Sequence, residues 1–410
     1  YTNQKSALAG DKFERLSVRA NFDIDITKWL KIGTNSSFAM KDYSGNKADW
    51  GIAGWLSPFS SLRYDDGSLR KLPSGDGMIT NPLWKVEMED NKEVSYSLTN
   101  NNYMTVQLPI KGLSYQMNVA NNLRFKELDN YIPSYDRDGF SWLGSGNKEH
   151  SFRHDLIFEN ILKYNNTFAE VHNVDVTLMY GYEQSKWSSS TLGSSNIFND
   201  ALGYNSLGIG ENQTAKSGAG KSAAVSSMAR VGYRFSDRYM INLTVRNDGF
   251  SAFGADKKYG TFPSVGLGWA VSQEKFMKNI SWINYLKLRY SLGNPGNQNY
   301  DAKLSSSIYM YNTAYSNPFG LAAWVETWGN NNLKWQRTVT HNFGLDVQFI
   351  AGRLNLNVDY QMRDTDPLLV RIDMPTSTGA ATAPMNVGAT DNRSISVRMT
   401  YYLIKQREFN

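Results

Sequence analysis

The sequence predicts an all-β protein whose strands run antiparallel, up and down, within a sheet. Apolar and polar residues alternate strictly along many segments, and glycine-containing turns separate these segments. The clearest case lies in Val339–Asp364, where Leu354, Leu356 and Val358 fall on one face of a strand and polar residues fall between them. Side chains of a strand change face at every residue, so each such segment has one apolar and one polar face.

Two hairpins are expected in the first third of the chain. In the first strand Leu16, Val18 and Phe22 share a face, and the opposite face is polar. Each hairpin has a tight turn, whereas a long connection rich in Gly, Asp, Pro and Trp joins the two hairpins. The expected strands are Phe13–Asp25, Trp29–Met40, Ser95–Leu108 and Leu113–Phe125.

Two further hairpins are expected in the middle third. Val174, Val176 and Leu178 share a face of one strand, and Ile241 and Leu243 share a face of another. The expected strands are His150–Tyr164, Val171–Glu183, Ala223–Phe235 and Tyr239–Asp248. Long connections are expected over Lys126–Glu149 and over Gln184–Gly220, the second made of Ser, Gly and Asn.

The last third is less regular, and it brings the total to about 13 or 14 strands. Helical spacing in the segment SQEKFMKNISWINYL, with Ser272 and Glu274 at its start, predicts one turn of helix. A tight hairpin turn is expected at Ala351-Gly352, where glycine supplies a positive φ. The expected strands are Tyr259–Val271, Lys287–Leu292, a segment near Leu304–Tyr311, the two strands around that turn, and Ser394–Tyr401.

The lengths of the connections favour a barrel that spans a membrane. Short turns alternate with long loops, so in an up-and-down sheet all short turns lie at one end and all long loops at the other, as in outer-membrane barrels. The strands are also longer than the usual five or six residues. Aromatic residues near the short turns predict an interfacial girdle, with packing in a soluble sandwich as the alternative: Trp29, Tyr115, Phe235, Tyr239, Phe349, Tyr360 and Tyr401.

Composition agrees with this prediction and excludes several classes. The chain has 410 residues, 41% of them hydrophobic and 20% charged, and its mean hydropathy is −0.48. No segment approaches the roughly 18 consecutive apolar residues of a transmembrane helix, and barrel strands give a weaker hydropathy signal. The net charge is +5 with both signs interspersed, which argues against nucleic acid as a partner. Without cysteine there is no disulfide, thiolate nucleophile or cysteine-bound metal.

Five blocks along the chain carry a resemblance to a known family. The most specific block contains RNDGFSAFG followed by YGTFPSVGLGW, and the others lie in the expected order around it. The blocks are Gly10–Gly33, Asp237–Met277, Ile283–Tyr300, Asn331–Phe349 and Pro367–Ala389. In these residues the chain resembles the SusC/RagA-type TonB-dependent transporters of the Bacteroidota outer membrane.

This resemblance implies a multi-pass barrel of about 22 strands whose lumen holds a plug. Residues 1–410 then correspond to part of the barrel domain, and the signal peptide, the plug, the TonB-contacting segment and the last barrel strands are expected outside them. The resemblance also implies active import of oligosaccharides, or of other oligomers such as peptides. The implied partners are a SusD-like surface lipoprotein, the TonB complex and the lipid bilayer. A passive porin or structural barrel is the first alternative, and a soluble all-β adhesin or carbohydrate-binding protein is the second.

Seven tryptophans fall in the expected long loops: Trp50, Trp55, Trp84, Trp142, Trp187, Trp324 and Trp328. Flat aromatic rings suit stacking on sugars or anchoring a partner protein, and packing between loops is the alternative. The residues predicted to contact substrate or partner are Trp50, Trp55, Trp142, Trp324 and Trp328.

No catalytic, cofactor or metal site is predicted. The four histidines are scattered, and no Ser/His/Asp set is recognisable. The run Gly218–Ser222 has Ala215 where a phosphate-binding loop needs glycine. The run Asp136–Gly139 resembles the start of a calcium loop but has Asn147 at the twelfth position, so a loop calcium ion stays an open alternative. We therefore expect a protein that is not an enzyme.

Overall fold

The computed structural model of the chain describes residues 1–75, 78–137, 140–297, 305–317 and 320–403. These residues form a predominantly antiparallel all-β fold, as predicted. The strands are β1 (Thr2–Lys5), β2 (Lys12–Asp25), β3 (Leu30–Asp42), β4 (Asp90–Gln107), β5 (Leu113–Ile132), β6 (Tyr135–Arg137), β7 (Phe140–Trp142), β8 (Gly144–Phe168), β9 (His172–Ile197), β10 (Asn212–Phe235), β11 (Tyr239–Phe250), β12 (Tyr259–Ala270), β13 (Ile283–Gly293), β14 (Gly296–Asn297), β15 (Ile308–Asn317), β16 (Gly320–Thr327), β17 (Gln336–Phe349), β18 (Leu354–Thr365), β19 (Leu369–Asp373), β20 (Thr382–Asn386) and β21 (Thr390–Tyr401).

Helical segments are few and short. The described part of the chain has two α-helices, α1 (Trp50–Ala53) and α2 (Trp84–Met88). Turns of 3₁₀ helix cover Asp200–Ile209, Ala255–Lys257, Val271–Gln273, Lys275–Met277 and Thr376–Thr378. The helical turn expected around Ser272 is therefore two short 3₁₀ turns. No helix in the described ranges is both long and apolar enough to cross a membrane.

One 15-stranded sheet forms the wall of the molecule. Its strands follow the order β1-β2-β3-β4-β5-β8-β9-β10-β11-β12-β13-β17-β18-β21, and β14 adds to β17. Neighbours in this path are antiparallel, which confirms the up-and-down connectivity. Strands β1 and β21 lie at the two edges, so within the described residues the sheet is an unclosed part of a barrel. The expected strand near Leu304–Tyr311 is not in the wall: Leu304 lies outside the described residues, and β15 belongs to a separate sheet.

Two small sheets lie in the long connections. Strands β6 and β7 pair between β5 and β8, and β15, β16, β20 and β19 form a four-stranded sheet at the same end of the wall. The other end has tight turns, such as Ser236–Arg238 between β10 and β11. The structure thus places most long connections at one end of the wall, which is called the long-loop end below. The connection 271–282 between β12 and β13 lies at the turn end.

The outer face of the wall is apolar and exposed. Cross-strand partners continue one apolar row through six neighbouring strands: Ile241, Leu267, Tyr290, Phe343, Tyr360 and Ile395. Five of these side chains are exposed and Tyr290 is half-buried. No second layer of described residues covers this row, and a lipid bilayer is the cover that such a face requires. The register also places Tyr360 deeper in the wall than the girdle position predicted for it.

The opposite, inner face carries hydrogen-bonded charges. Arg289 donates to Asp346 from two nitrogens at 2.7 and 2.8 Å, and its third nitrogen lies 3.1 Å from Asp359. Asn342 and Asn357 donate to the same carboxylates at 3.2 and 2.8 Å. Partly buried charges are tolerated when they are paired and hydrogen-bonded in this way. This face is therefore the polar lining of the barrel lumen.

A polar patch interrupts the outer face in a way that alternation did not predict. Thr34, Ser36, Asn100, Asn102 and Asn121 lie on the same face as the apolar residues that flank them in β3, β4 and β5. Asn100 donates to Ser36 at 2.6 Å and accepts from Asn102. Hydrogen bonds within the patch reduce the free energy that these groups would lose in an apolar surrounding.

Strands β8, β9 and β10 are much longer than predicted, at 25, 26 and 24 residues. The expected loop Gln184–Gly220 is therefore mostly the upper part of β9 and β10, and most of Lys126–Glu149 is strand as well. The outward face of β9 is continuously apolar only as far as Tyr182, and beyond it Gln184, Lys186, Ser188 and Ser190 precede an isolated Leu192. The wall continues beyond the lipid-facing band into the aqueous phase. Most residues on both faces are polar there, so an alternation of apolar and polar residues does not reveal the strand in the sequence.

The predicted tight turn after β17 is confirmed in position but not in length. It spans the four residues Ile350–Arg353, and Ile350, Ala351 and Gly352 all have positive φ, at 55°, 54° and 73°. Gly352 donates from its backbone to the Asn284 side chain at 3.1 Å. A branched side chain in the left-handed region is strained, so neighbouring contacts hold this turn rather than local propensity.

Candidate substrate and partner site at the long-loop end

Two long connections are joined by an aromatic cluster at the long-loop end. Tyr135 stacks on Trp142 with 4.6 Å between ring centroids and meets the edge of Trp84 at 5.3 Å. Trp84, on α2, is only 1% exposed. The ammonium of Lys71 lies 3.6 Å from the centre of the Trp142 ring. Burial lowers the pKa of Lys71, and the charge of Glu89 opposes this effect. The cluster fixes helix α2 and Lys71 against strands β6 and β7.

A charged pair beside this cluster adds a second tie. Asp66 accepts from the backbone and hydroxyl of Ser68, and its other oxygen lies 3.0 Å from Arg137. The guanidinium of Arg137 also lies 4.0 Å from the ring centre of Tyr64. The hydrogen bonds from Ser68 and then Arg137 lower the pKa of Asp66 to about 2. At neutral pH the carboxylate is therefore ionised and holds both partners.

Three aromatic side chains on the same connection are exposed together, and they are called the loop aromatic patch below. Trp50 is 77% exposed, Trp55 is 81% exposed and Phe59 is 97% exposed. Helix α1 carries Trp50, and the Asp49 carboxylate accepts from Ile52 N at 3.0 Å at its start. Large aromatic residues exposed close together along one connection are typical of a surface that binds a partner.

The structure separates the five tryptophans that the sequence grouped. Trp50 and Trp55 are exposed in the loop aromatic patch, whereas Trp142 packs between loops. Trp328 lies elsewhere at the same end, and its indole donates to the Thr378 carbonyl at 3.2 Å. Trp324 lies on β16, and its side chain is outside the described part of the structure. Contact of these residues with a substrate or partner stays a prediction.

Sequence reasoning missed a second core that holds the other long loops. Phe250, Phe253, Leu333, Trp335 and Leu369 form a buried cluster. The sequence signal for this core was the aromatic content of Asp237–Met277 and of the NNNLKW segment. Alternation within a strand does not show that two such segments contact each other. Beside this core, a cavity of about 460 Å³ opens on the inner wall. Its lining includes Arg246 and Asp248, which form two hydrogen bonds of 2.8 Å.

The segment between β9 and β10 is held in place by a half-buried carboxylate. Asp200 accepts from Tyr131 Oη at 2.6 Å and from Ser134 N at 3.1 Å. Burial raises the pKa of Asp200, but the hydrogen bonds from Ser134 and Tyr131 outweigh burial and leave the pKa below its usual value. The 3₁₀ segment Asp200–Ile209 is thus fixed against the upper part of β5.

The histidines, the phosphate-loop-like run and the calcium-loop-like run do not assemble into a site. His154 contacts Asn121, His172 contacts Tyr233 and His341 contacts Tyr290, so these rings lie apart. No group of three or more metal-binding side chains is found in the described ranges. Gly218–Ser222 lies inside strand β10, which is not the turn that a phosphate-binding loop needs. Asp138 and Gly139 of the calcium-like run lie outside the described residues.

The chain is similar to TonB-dependent receptors along its whole length. It is 29% identical over 415 aligned residues to TonB-dependent receptor P39 of Formosa agariphila, an alignment that covers 100% of this chain and 39% of that protein. It is 34% identical over 197 residues to TonB-dependent receptor SusC of Bacteroides thetaiotaomicron, covering 47% of this chain and 20% of SusC. The chain therefore spans about two fifths of the length of P39.

Solved structures show the same fold. A structure of the RagAB peptide transporter superposes with a TM-score of 0.84 at 24% identity, covering 97% of this chain and 45% of the other. The sequence family described as "TonB dependent receptor-like, beta-barrel" matches residues 10–404. With its lipid-facing wall, polar lumen face and long loops at one end, the chain belongs to the family of TonB-dependent receptor-like β-barrels.

Proposed function

We propose that residues 1–410 form part of the barrel domain of an active importer in the outer membrane. The observation that carries the membrane-barrel part of this proposal is the two-sided wall, with an exposed apolar outer face and a hydrogen-bonded polar inner face. Family membership supports energy coupling through TonB, which the expected plug outside these residues would receive. The substrates are oligosaccharides or other nutrient oligomers such as peptides, and SusC and the RagAB peptide transporter are among the similar proteins.

The proposed partner is a SusD-like surface lipoprotein that covers the long-loop end. The loop aromatic patch supports this, since Trp50, Trp55 and Phe59 are almost fully exposed at that end. Aromatic anchors at the centre of an interface commonly supply most of its binding free energy. The aromatic cluster around Trp84 fixes the loop that carries the patch, so little conformational entropy is lost on docking.

The test is purification of the full-length protein from native outer membranes, with intact masses of everything retained. We expect a polypeptide much larger than 46.3 kDa bound to a lipoprotein. Trp50→Ala with Trp55→Ala should weaken retention of the lipoprotein, while Trp282→Ala, an exposed tryptophan at the opposite end, should not. A product of 46.3 kDa in the soluble fraction would contradict the membrane assignment.

The passive porin is the second candidate, because the wall alone fits either protein. Uptake distinguishes the two. We expect uptake by the full-length protein to stop when TonB is deleted, since an importer with a plug needs the energy that TonB transmits. Uptake that continues unchanged without TonB would favour the porin and reject active import.

A further inference from the structure

Trp187 lies in the upper part of β9, beyond the lipid-facing band. It occupies the inner face, because Val176, Leu178 and Tyr182 of the same strand alternate with it and face outward. It was expected in a loop, but the strand fixes its position and direction. The side chain is therefore part of the wall of the lumen near its outer mouth.

The indole of Trp187 lies against two glycines of the neighbouring strand. A Cβ on Gly220, its register partner, would lie 2.4 Å from the indole Nε1 and 2.7 Å from Cε2. A Cβ on Gly218 would lie 3.3 Å from Cζ3 at the far end of the ring. Glycine weakens a strand interior, and it often marks a place where another group approaches closely. Here the two glycines leave the space in which the ring packs against strand β10.

Part of the ring stays accessible from the lumen side, and a charged pair lies on the neighbouring strand β8. Trp187 keeps 42% of its surface exposed. Arg153 is the partner of Trp187 across strands β8 and β9, and its Nε donates to both oxygens of Asp155 at 2.9 and 3.1 Å. The guanidinium still has its Nη donors, and the carboxylate has further acceptor positions. Ser185 and Ser189 lie on the same face as Trp187 on either side of it.

We propose that Trp187, Arg153 and Asp155 form a sugar-binding subsite on the inner wall of the barrel mouth. The inference rests on the proposed import function and assigns its substrate class to oligosaccharides. One face of a pyranose ring presents C–H groups, and its rim carries hydroxyl groups. A flat apolar platform with donors and acceptors at its edge matches this distribution. An apolar peptide side chain would instead gain most from an enclosed pocket, which the open platform does not offer.

A purely structural role for Trp187 is a poorer account of these observations. A tryptophan used for packing is normally covered, as Trp84 is, because burial of its large apolar surface supplies the stabilisation. Trp187 instead packs against glycines, which have no side chain to cover it, and 42% of its surface stays exposed. Two glycines on one face of a strand also cost stability, so we take their role to be positioning the ring.

The first experiment measures binding to the full-length protein in detergent by titration calorimetry. The probes are linear gluco-, manno- and xylo-oligosaccharides, uronate-containing oligosaccharides and a tryptic peptide mixture. We expect at least one oligosaccharide to bind. The neutral and uronate probes separate stacking alone from stacking with an added contact to Arg153. A protein that binds none of the sugars overturns the inference, whether or not it imports another nutrient.

The second experiment uses variants with the sugar that binds. Trp187→Ala should raise its Kd roughly tenfold or more, the scale expected for removal of an aromatic anchor. The Kd of Trp187→Phe should lie between those of the wild type and Trp187→Ala, because a smaller ring still stacks on the sugar. Gly220→Ala should also weaken binding, since its methyl group would displace the indole. Trp282→Ala is the matched control and should bind like the wild type.

The outcomes separate this inference from the proposed function. An unchanged Kd in Trp187→Ala, with Trp187→Phe also unchanged, rejects the subsite even if uptake remains TonB-dependent. Binding of peptides alone rejects the sugar assignment and leaves active import standing. Uptake without TonB rejects the importer, and a Kd that still depends on Trp187 would then assign the subsite to a passive barrel.

Discussion

At the residue scale, glycine decides where the large side chains of the inner wall can lie. Gly220 accommodates the Trp187 indole, Gly33 accommodates the Tyr103 ring, and a Cβ on Gly344 would lie 2.5 Å from the Arg289 guanidinium carbon. None of these glycines has a positive φ, so backbone freedom is not the reason for them. Glycine is needed at these positions because a side chain from a neighbouring strand occupies the space where a Cβ would lie.

Gly344→Ala should destabilise the folded barrel by roughly 1–3 kcal/mol. The new methyl group would overlap Arg289, which cannot retreat without losing its charge-assisted hydrogen bonds to Asp346. The measurement is the temperature at which the full-length protein loses its fast-migrating folded band in gel electrophoresis.

Gly266→Ala is the matched control for this change. It lies on the same inner face, and its Cβ would meet only Asn242 Cβ at an ordinary 3.8 Å. We expect a change within about 0.5 kcal/mol. Equal effects of the two substitutions would show that the loss of glycine itself, rather than displacement of Arg289, sets the stability.

A second residue-scale prediction concerns pH and the tie between the loops. The pKa of Asp66 is lowered from 3.8 to about 2 in the folded protein. Because the folded pKa is depressed, the stabilisation by Asp66 is present above pH 3.8 and is lost as the pH falls through about 2. Pepsin, which works in this range, should therefore cleave segment 43–89 more readily at pH 2 than at pH 4.

Asp66→Asn removes the charge at all pH values and serves as the comparison. The difference in cleavage rate between wild type and Asp66→Asn should be clear at pH 4 and vanish near pH 2. A difference that persists at pH 2 would mean that the carboxylate is not what holds the two loops together.

At the element scale, the long connections are ordered by their own small cores. Trp84, Tyr135 and Leu69 form one cluster, and Phe253 and Trp335 belong to the other. Both clusters join segments far apart in sequence, and the wall positions their ends. The loops are therefore folded units attached to a barrel, which is what a surface that receives a substrate or partner requires.

Trp335→Ala should open the second core locally without unfolding the wall. Trp335 contacts Phe253 and Phe262 and donates to the Lys258 carbonyl at 2.9 Å. Truncation of a large buried aromatic residue costs about 3–5 kcal/mol. Hydrogen exchange should speed up in 250–258 and 369–386 but not in β3 or β4. Trp50→Ala, an exposed tryptophan, should leave both regions unchanged, and exchange throughout the wall would contradict a local core.

At the scale of the whole molecule, the sheet formed by the described residues has two open edges. Strand β1 has four residues, and β21 is exposed along its whole length. Unpaired backbone groups at an edge cost several kcal/mol each in lipid, so spanning sheets close into barrels. The wall seen here therefore depends on further strands for its stability in a membrane.

Residues 1–410 expressed alone should not form a stable membrane barrel. In detergent or lipid vesicles we expect no heat-sensitive, fast-migrating band and rapid digestion by proteinase, because the edges stay unpaired. The full-length protein under the same conditions is the control and should show both the band and protection. A protected, folded product of 46.3 kDa would show that this sheet closes by itself.

The sequence by itself determined the all-β class, the up-and-down order, the two faces of each wall strand and the segregation of turns from loops. These properties depend on neighbouring residues, because alternation and turn chemistry are local. Family motifs are also contiguous stretches of sequence, so the blocks around Asp237–Met277 were enough to predict the family.

Only the tertiary structure decided which residues meet across strands and loops. It extended β9 to Ile197, because ladder hydrogen bonds continue where the hydrophobic pattern ends. It divided the loop tryptophans into the buried Trp84, the packed Trp142 and the exposed Trp50. Burial and cross-strand contact depend on partners distant in sequence, and no local pattern specifies them.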